Sequence, residues 1–207
     1  ATMTELEDLY RPFRPKRRTR ASMAREKGLE PLADCLFRQE RTVDPAAAAA
    51  RYVDAGKGVE TAEDALAGAR DILAERSSDD ASLRGRLRTA AMAQAELVSQ
   101  ASKPEEDSVY APYYEFRQPV RQAAGYRVLA VNRGEREGFL KVSVAWDRER
   151  ALPLVEHSCV RGSSPCAEQV RLAAHDAFDR LIFPSLEREI RAALTEQADE
   201  SAIRVFR

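Results

Sequence analysis

The residues best equipped for chemistry in this chain are cationic. Between Arg11 and Lys27, within the stretch "RPFRPKRRTRASMAREKG" (11–28), stand eight basic side chains against the single acid Glu26, a local charge of +7. The formal net charge of the chain is −1, so the remaining residues carry −8 and the basic charge is concentrated rather than spread. Guanidinium and ammonium groups gathered on a loop before a helix neutralise phosphates without reading bases, with an affinity that falls as salt rises. That chemistry makes Arg14, Lys16, Arg17, Arg18 and Arg20 candidate contacts to an RNA or DNA backbone, with Phe13 or Tyr10 able to stack on an unpaired base. The competing reading is structural, in which the same charges face solvent or pair with the acid-rich remainder and contribute little.

A second set, His157, Cys159, Cys166 and His175, consists entirely of permissible zinc ligands. Its spacing, H-x-C-x6-C-x8-H, contains none of the short C-x2-C or H-x3-H pairs that build a site, and no metal is expected. His175 falls inside an expected helix, turned off its apolar stripe, and reads as a polar surface residue. The chain has no G-x-S-x-G elbow, no G-x4-GK[ST] loop and no G-x-G-x-x-G fingerprint. The glycines of "RGEREG" (133–138) read as a chain reversal rather than a phosphate cradle. No catalytic residue, cofactor or small-molecule substrate is therefore expected.

The elements that must carry these residues are mostly helices. Thr4, with Glu7 three residues on, can cap a first helix ending near Tyr10. Pro12 and Pro15 keep "RPFRPK" extended, Thr19 caps a helix from Arg20, and Gly28 ends it. Pro31 suits the first turn of the next helix, and Asp44-Pro45 marks another start. Thr61 with Asp64 opens a helix to about Ser77, whose Ala65, Leu66, Ala69, Ile72 and Leu73 share one face. A further helix is expected over 80–99, and "YRVLAVN" reads as a helix or a strand, with helix preferred. "FLKVSVAW" alternates as a strand, and "LPLVEHSCV" can pair with it in a small β-hairpin at about 139–158. Ser164-Pro165 starts a helix that Pro184 should stop or kink, after which Ser185 caps a last helix. The fold class expected is mainly α, a multihelical array of two subdomains, 1–102 with the basic loop 11–28 and 103–207 with the hairpin.

Composition agrees. In 207 residues, 44% are hydrophobic and 32% charged, as in soluble globular proteins, and no run reaches the roughly 18 apolar residues of a membrane span. Three cysteines at irregular spacing make no disulfide framework, which points to a reducing cytoplasm. The helical pattern of "AIRVFR" runs on without a stop signal, and the chain reads as a piece of a longer protein.

The segment "LEDLYRPFRPKRRTRASMAREKGLEPLAD" (6–34) resembles the hallmark segment of the Tex family of bacterial transcription accessory proteins. The shared grammar is L-E-D-L-Y-x-P-(Y/F)-x-P-K-R-R-T followed by A-x-x-A-R-E-x-G-L-E-P-L-A. The resemblance continues through "RYVDAGKGVETAEDALAGARDILAER" (51–76), "YRVLAVNRGEREGFLKVSV" (126–144) and "RLIFPSLEREIRAALTEQADESAIRVF" (180–206), and is weakest over 145–174. "HSCVRGSSPC" (157–166) has no counterpart in the family pattern. The resemblance implies a helical part of a multidomain protein, lacking the YqgF-type domain, the helix-hairpin-helix section and the RNA-binding OB barrel that follow. It implies a non-catalytic scaffold contacting RNA or DNA through phosphates. The alternative is a protein-interaction or spacer module that orients downstream domains and touches RNA polymerase or the ribosome.

Overall fold

A computed structural model describes residues 2–14 and 17–205, so Pro15 and Lys16 of the basic loop lie outside the described residues. The chain divides into two compact units, Ala1–Leu87 with Leu152–Phe183, and Arg88–Ala151 with Pro184–Arg207. The fold is mainly α with one small sheet, as expected.

The first unit is built around α5 (Ala62–Ser78), which packs against α2 (Arg20–Glu26), α3 (Glu30–Arg38), α4 (Pro45–Ala50) and α9 (Ala167–Asp176). Its sequence dictates this central place, because Ala65, Leu66, Ala69, Ile72, Leu73 and Ala74 recur at helical spacing and are all buried. Thr61 and Asp64 close the expected capping box, each side chain bonding the other's backbone N–H at 3.1 and 2.9 Å. Gly68 of α5 makes room for Leu29, which joins α2 to α3, since a Cβ there would collide with it. α1 (Met3–Tyr10) is capped by Thr2 with Glu5 rather than by Thr4 with Glu7. It is tied to α6 (Ala81–Gln94) by an ion pair of 2.7 Å between Asp8 and Arg84, whose side chains are 4% and 0% exposed.

The second unit holds a three-stranded antiparallel sheet, ordered β2-β1-β3, from β1 (Glu96–Ala101), β2 (Glu115–Pro119) and β3 (Leu140–Ala145). Leu97 opposes Gln118 on one side and Val144 on the other. α7 (Gly125–Arg136) packs on β3, which resolves "YRVLAVN" as helix. Backbone groups of β3 are taken by helix side chains: Val144 N–H donates to Glu187 at 2.9 Å, Val142 N–H to Glu135 at 3.3 Å, and Arg191 donates to the Val142 carbonyl at 2.8 Å.

Two of these element assignments are corrected. The helix expected over 80–99 ends at Gln94, because Leu97, Val98 and Ser99 are buried as the central strand between β2 and β3, a gain that overrides local propensity. A boundary at 102/103 would therefore separate β1 from both of its partners. The hairpin at 139–158 is absent: β3 pairs with β1, and Arg148–Cys159 is a helix, α8. Its buried Ala151, Leu152, Val155 and Cys159 follow the helical period that the β-branched residues obscured.

Pro184 does not end the helix. α9 runs through a π-helical turn, Ala177–Ile182, into α10 (Phe183–Val205), and Ser185 lies inside that helix with its hydroxyl 3.3 Å from Glu189. A proline has no N–H to donate and crowds the carbonyl four residues back, here Arg180, and the wider π turn absorbs both effects.

Candidate nucleic-acid interface

The basic segment is organised by its threonine. Thr19 has extended backbone, and its hydroxyl accepts from Ser22 N–H at 3.0 Å while the Ser22 hydroxyl takes the Thr19 N–H at 2.8 Å, which starts α2. The Thr19 hydroxyl also donates to Glu75 of α5 at 3.0 Å, so the cap pins the loop's end to the central helix. Gly28, with φ of 77°, ends α2 in the left-handed conformation the sequence called for.

Beyond Gly28 the acids that engage this segment come from α3 and α5. Arg25 lies 2.9 Å from Glu75 and 3.2 Å from Glu30, and Arg76 joins Glu30 at 2.8 Å and Asp34 at 2.7 Å, linking α2, α3 and α5 in one network. Lys27 donates to the Gly58 carbonyl at 3.0 Å. These two cations are structural.

The candidates named from the sequence are placed differently. Arg14, Arg17, Arg18 and Arg20 are all exposed, whereas Lys16 lies outside the described residues. Arg14 meets Glu7 at 3.6 Å and Arg18 meets Glu26 at 3.4 Å, pairs between solvated side chains that contribute little and yield readily to a competing anion. Arg17 and Arg20 make no ion pair among the described residues. Tyr10 and Phe13 are exposed as well, at 56% and 77%.

Two clefts open beside these arginines. The first, of about 430 Å³, is lined by Arg17, Arg20, Arg180, Asp71, Glu75 and others. A second, of about 480 Å³, is lined by Arg18, Arg20, Lys27, Lys57, Asp64 and others, and the two share Arg20 and Asp71. Arg180 is a residue that sequence reasoning missed. It stands 160 positions from Arg20, and the π turn and the packing of α9 on α5 bring it to the same cleft. Arg180 is clamped by Asp176 at 2.7 Å and lies 3.7 Å from Asp71. Burial pushes the Asp71 carboxyl above the ordinary aspartate range, against the pull of the Arg180 charge.

The zinc candidates are dispersed among other partners. Cys159 donates its thiol to the Val155 carbonyl, and burial pushes its pKa up to about 11, which keeps it protonated and unreactive at neutral pH. Cys166 is buried with its sulfur 3.7 Å from the Val43 carbonyl, and burial raises its pKa too. His175 is half-buried and meets Glu156 at 2.5 Å rather than standing free on the surface. Among the described residues no three His, Cys, Asp or Glu side chains gather where they could hold a metal ion, and no helix is long and apolar enough to cross a membrane.

Comparison with known proteins fixes the relationship. A family model described as Tex central region-like matches residues 40–206. The chain belongs to this Tex family. It is 38% identical to YdcI of Bacillus subtilis over 99% of its length and 29% of the relative's. It is 38% identical to the transcriptional accessory protein Tex of Neisseria gonorrhoeae, over 98% of its length and 28% of the relative's. Human S1 RNA-binding domain-containing protein 1 is 28% identical over 99% of this chain and 22% of that protein. The chain thus spans less than a third of the curated relatives it matches. The basic segment precedes the residues matched by the family model but falls within the stretch matched to the bacterial relatives.

Proposed function

We propose that this Tex central region is a non-catalytic helical scaffold that holds an RNA or DNA backbone through Arg14, Lys16, Arg17, Arg18 and Arg20, without reading sequence at those contacts. The observation that carries the reading is the pair of exposed arginines, Arg17 and Arg20, which have no carboxylate partner within ion-pair distance among the described residues yet line clefts that Arg180 and Lys57 also border. Glu75 and Glu30 pair with Arg25, whereas these two cations remain available to phosphates. Relatives named transcriptional accessory protein and S1 RNA-binding domain-containing protein support it. A cytoplasmic setting belongs to the same reading, since all three cysteines are free thiols.

Replacing Arg17, Arg18 and Arg20 together by alanine tests it. The expected result in a mobility-shift or anisotropy titration is weaker binding, by similar factors across oligonucleotide sequences, and a logarithmic salt slope reduced by about 2–3. Binding that is unchanged at low and moderate salt would remove the loop from the interface.

One observation favours the second reading, a spacer or protein-interaction module contacting RNA polymerase or the ribosome. α1 turns Met3, Leu6 and Leu9 outward, at 74%, 55% and 61% exposure, and Phe13 of the following turn is exposed too. Monomeric surfaces carry few such contiguous apolar stripes. If this chain shifts no nucleic acid at either salt concentration, the spacer reading prevails.

A further inference from the structure

Asp71 stands apart from the other acids of the first cleft. Glu75 accepts from Thr19 at 3.0 Å and from Arg25 at 2.9 Å. Asp71, with a side chain 27% exposed, accepts no hydrogen bond among the described residues; its nearest cation is Arg180 at 3.7 Å, beyond hydrogen-bonding range. Arg180 is meanwhile held by Asp176 through contacts of 2.7, 3.1 and 3.2 Å. An ionised carboxylate offers about four acceptor positions, and one that is half withdrawn from water gains more from a donor than a solvated one does. Burial already disfavours its ionised form, and a bound donor would relieve that.

The groups around it set what that donor belongs to. Arg17, Arg20 and Arg180 line the same cleft, and a ligand that satisfies both Asp71 and these cations carries an anion beside a donor edge. A nucleotide has this composition. Among the standard bases, only guanine presents two adjacent donors, N1–H and N2–H2, matched to the two oxygens of one carboxylate. A cleft of about 430 Å³ falls within the size range of small-ligand pockets and admits a splayed base but not a duplex.

We propose that the first cleft is a base-reading pocket, in which Asp71 accepts from the Watson–Crick edge of an unpaired guanine while Arg17, Arg20 and Arg180 hold its adjoining phosphate. This deepens the proposed function and rests on it. The backbone contacts of the loop confer no sequence preference, whereas this one position does.

The test uses the chain as it stands and oligouridylates of about twelve nucleotides carrying one central guanosine, one inosine, or neither. Inosine keeps N1–H and lacks the N2 amino group. The expected order is guanosine tightest, inosine weaker by roughly tenfold, and all-uridine weaker still. The isosteric change Asp71→Asn should erase the preference of guanosine over inosine while leaving the salt dependence unchanged, and a far-UV spectrum like that of the parent would establish that the fold is retained. Equal affinity for the three oligonucleotides, or a guanosine preference that survives Asp71→Asn, overturns the pocket. In those outcomes binding itself persists and the backbone reading stands; loss of binding to all three overturns both.

Discussion

The two halves of the basic segment contain the same residue types within a few positions of one another and have opposite fates. Arg25 and Lys27 are committed to Glu75, Glu30 and the Gly58 carbonyl, whereas Arg17 and Arg20 face open clefts with no carboxylate partner in range among the described residues. Local charge does not separate them. What separates them is which acids the neighbouring helices deliver. α3 and α5 carry Glu30 and Glu75 to Arg25, whereas Arg14 and Arg18 meet the solvated Glu7 and Glu26. A run of cations is thus neither a binding site nor a structural joint as a whole. It is one or the other residue by residue, according to what packs against it.

Arg84 extends this contrast to its limit, as an arginine with no exposed surface held by Asp8. Asp8→Ala withdraws a carboxylate from a guanidinium that solvent does not reach, and should lower unfolding stability in urea by about 3 kcal/mol, the largest effect among these arginines. Glu75→Ala removes an acceptor from both Arg25 and the Thr19 hydroxyl, and should lower it by about 2 kcal/mol. Its midpoint shift would place the Arg25 half of the segment firmly in the packed interior. Arg17→Ala and Arg18→Ala should change stability by no more than about 0.5 kcal/mol, since neither side chain is buried. A loss for Arg17→Ala as large as that for Glu75→Ala would erase the distinction between the two halves.

Much of this was legible in the sequence, and the reason is locality. The Thr19 and Thr61 caps, the Asp44-Pro45 start, the Gly28 stop and the apolar face of α5 are each decided within about one helical turn, and all are found where the residues put them. Some misses were local, since Thr2 rather than Thr4 caps α1, but the larger ones depend on partners far along the chain. β1 is a strand because β2 and β3 flank it, and "LPLVEHSCV" is a helix because Ala151, Leu152, Val155 and Cys159 are buried along one side. The site divides in the same way. The exposed cations Arg14, Arg17, Arg18 and Arg20 could be named from their clustering, but Arg180 could not, because the packing of α9 and the π turn on α5 brings it beside Asp71. A local signal was Pro184, expected to stop or kink the helix, which lies just past a widened turn inside a helix that continues.

The treatment of β3 has a consequence for how molecules of this protein behave together. An outer strand normally offers its unused amides and carbonyls to any passing extended peptide, including another copy of itself. Here Glu135, Glu187 and Arg191 already occupy such groups at Val142 and Val144, so polymerisation by strand addition is blocked on that side by three ordinary charged side chains.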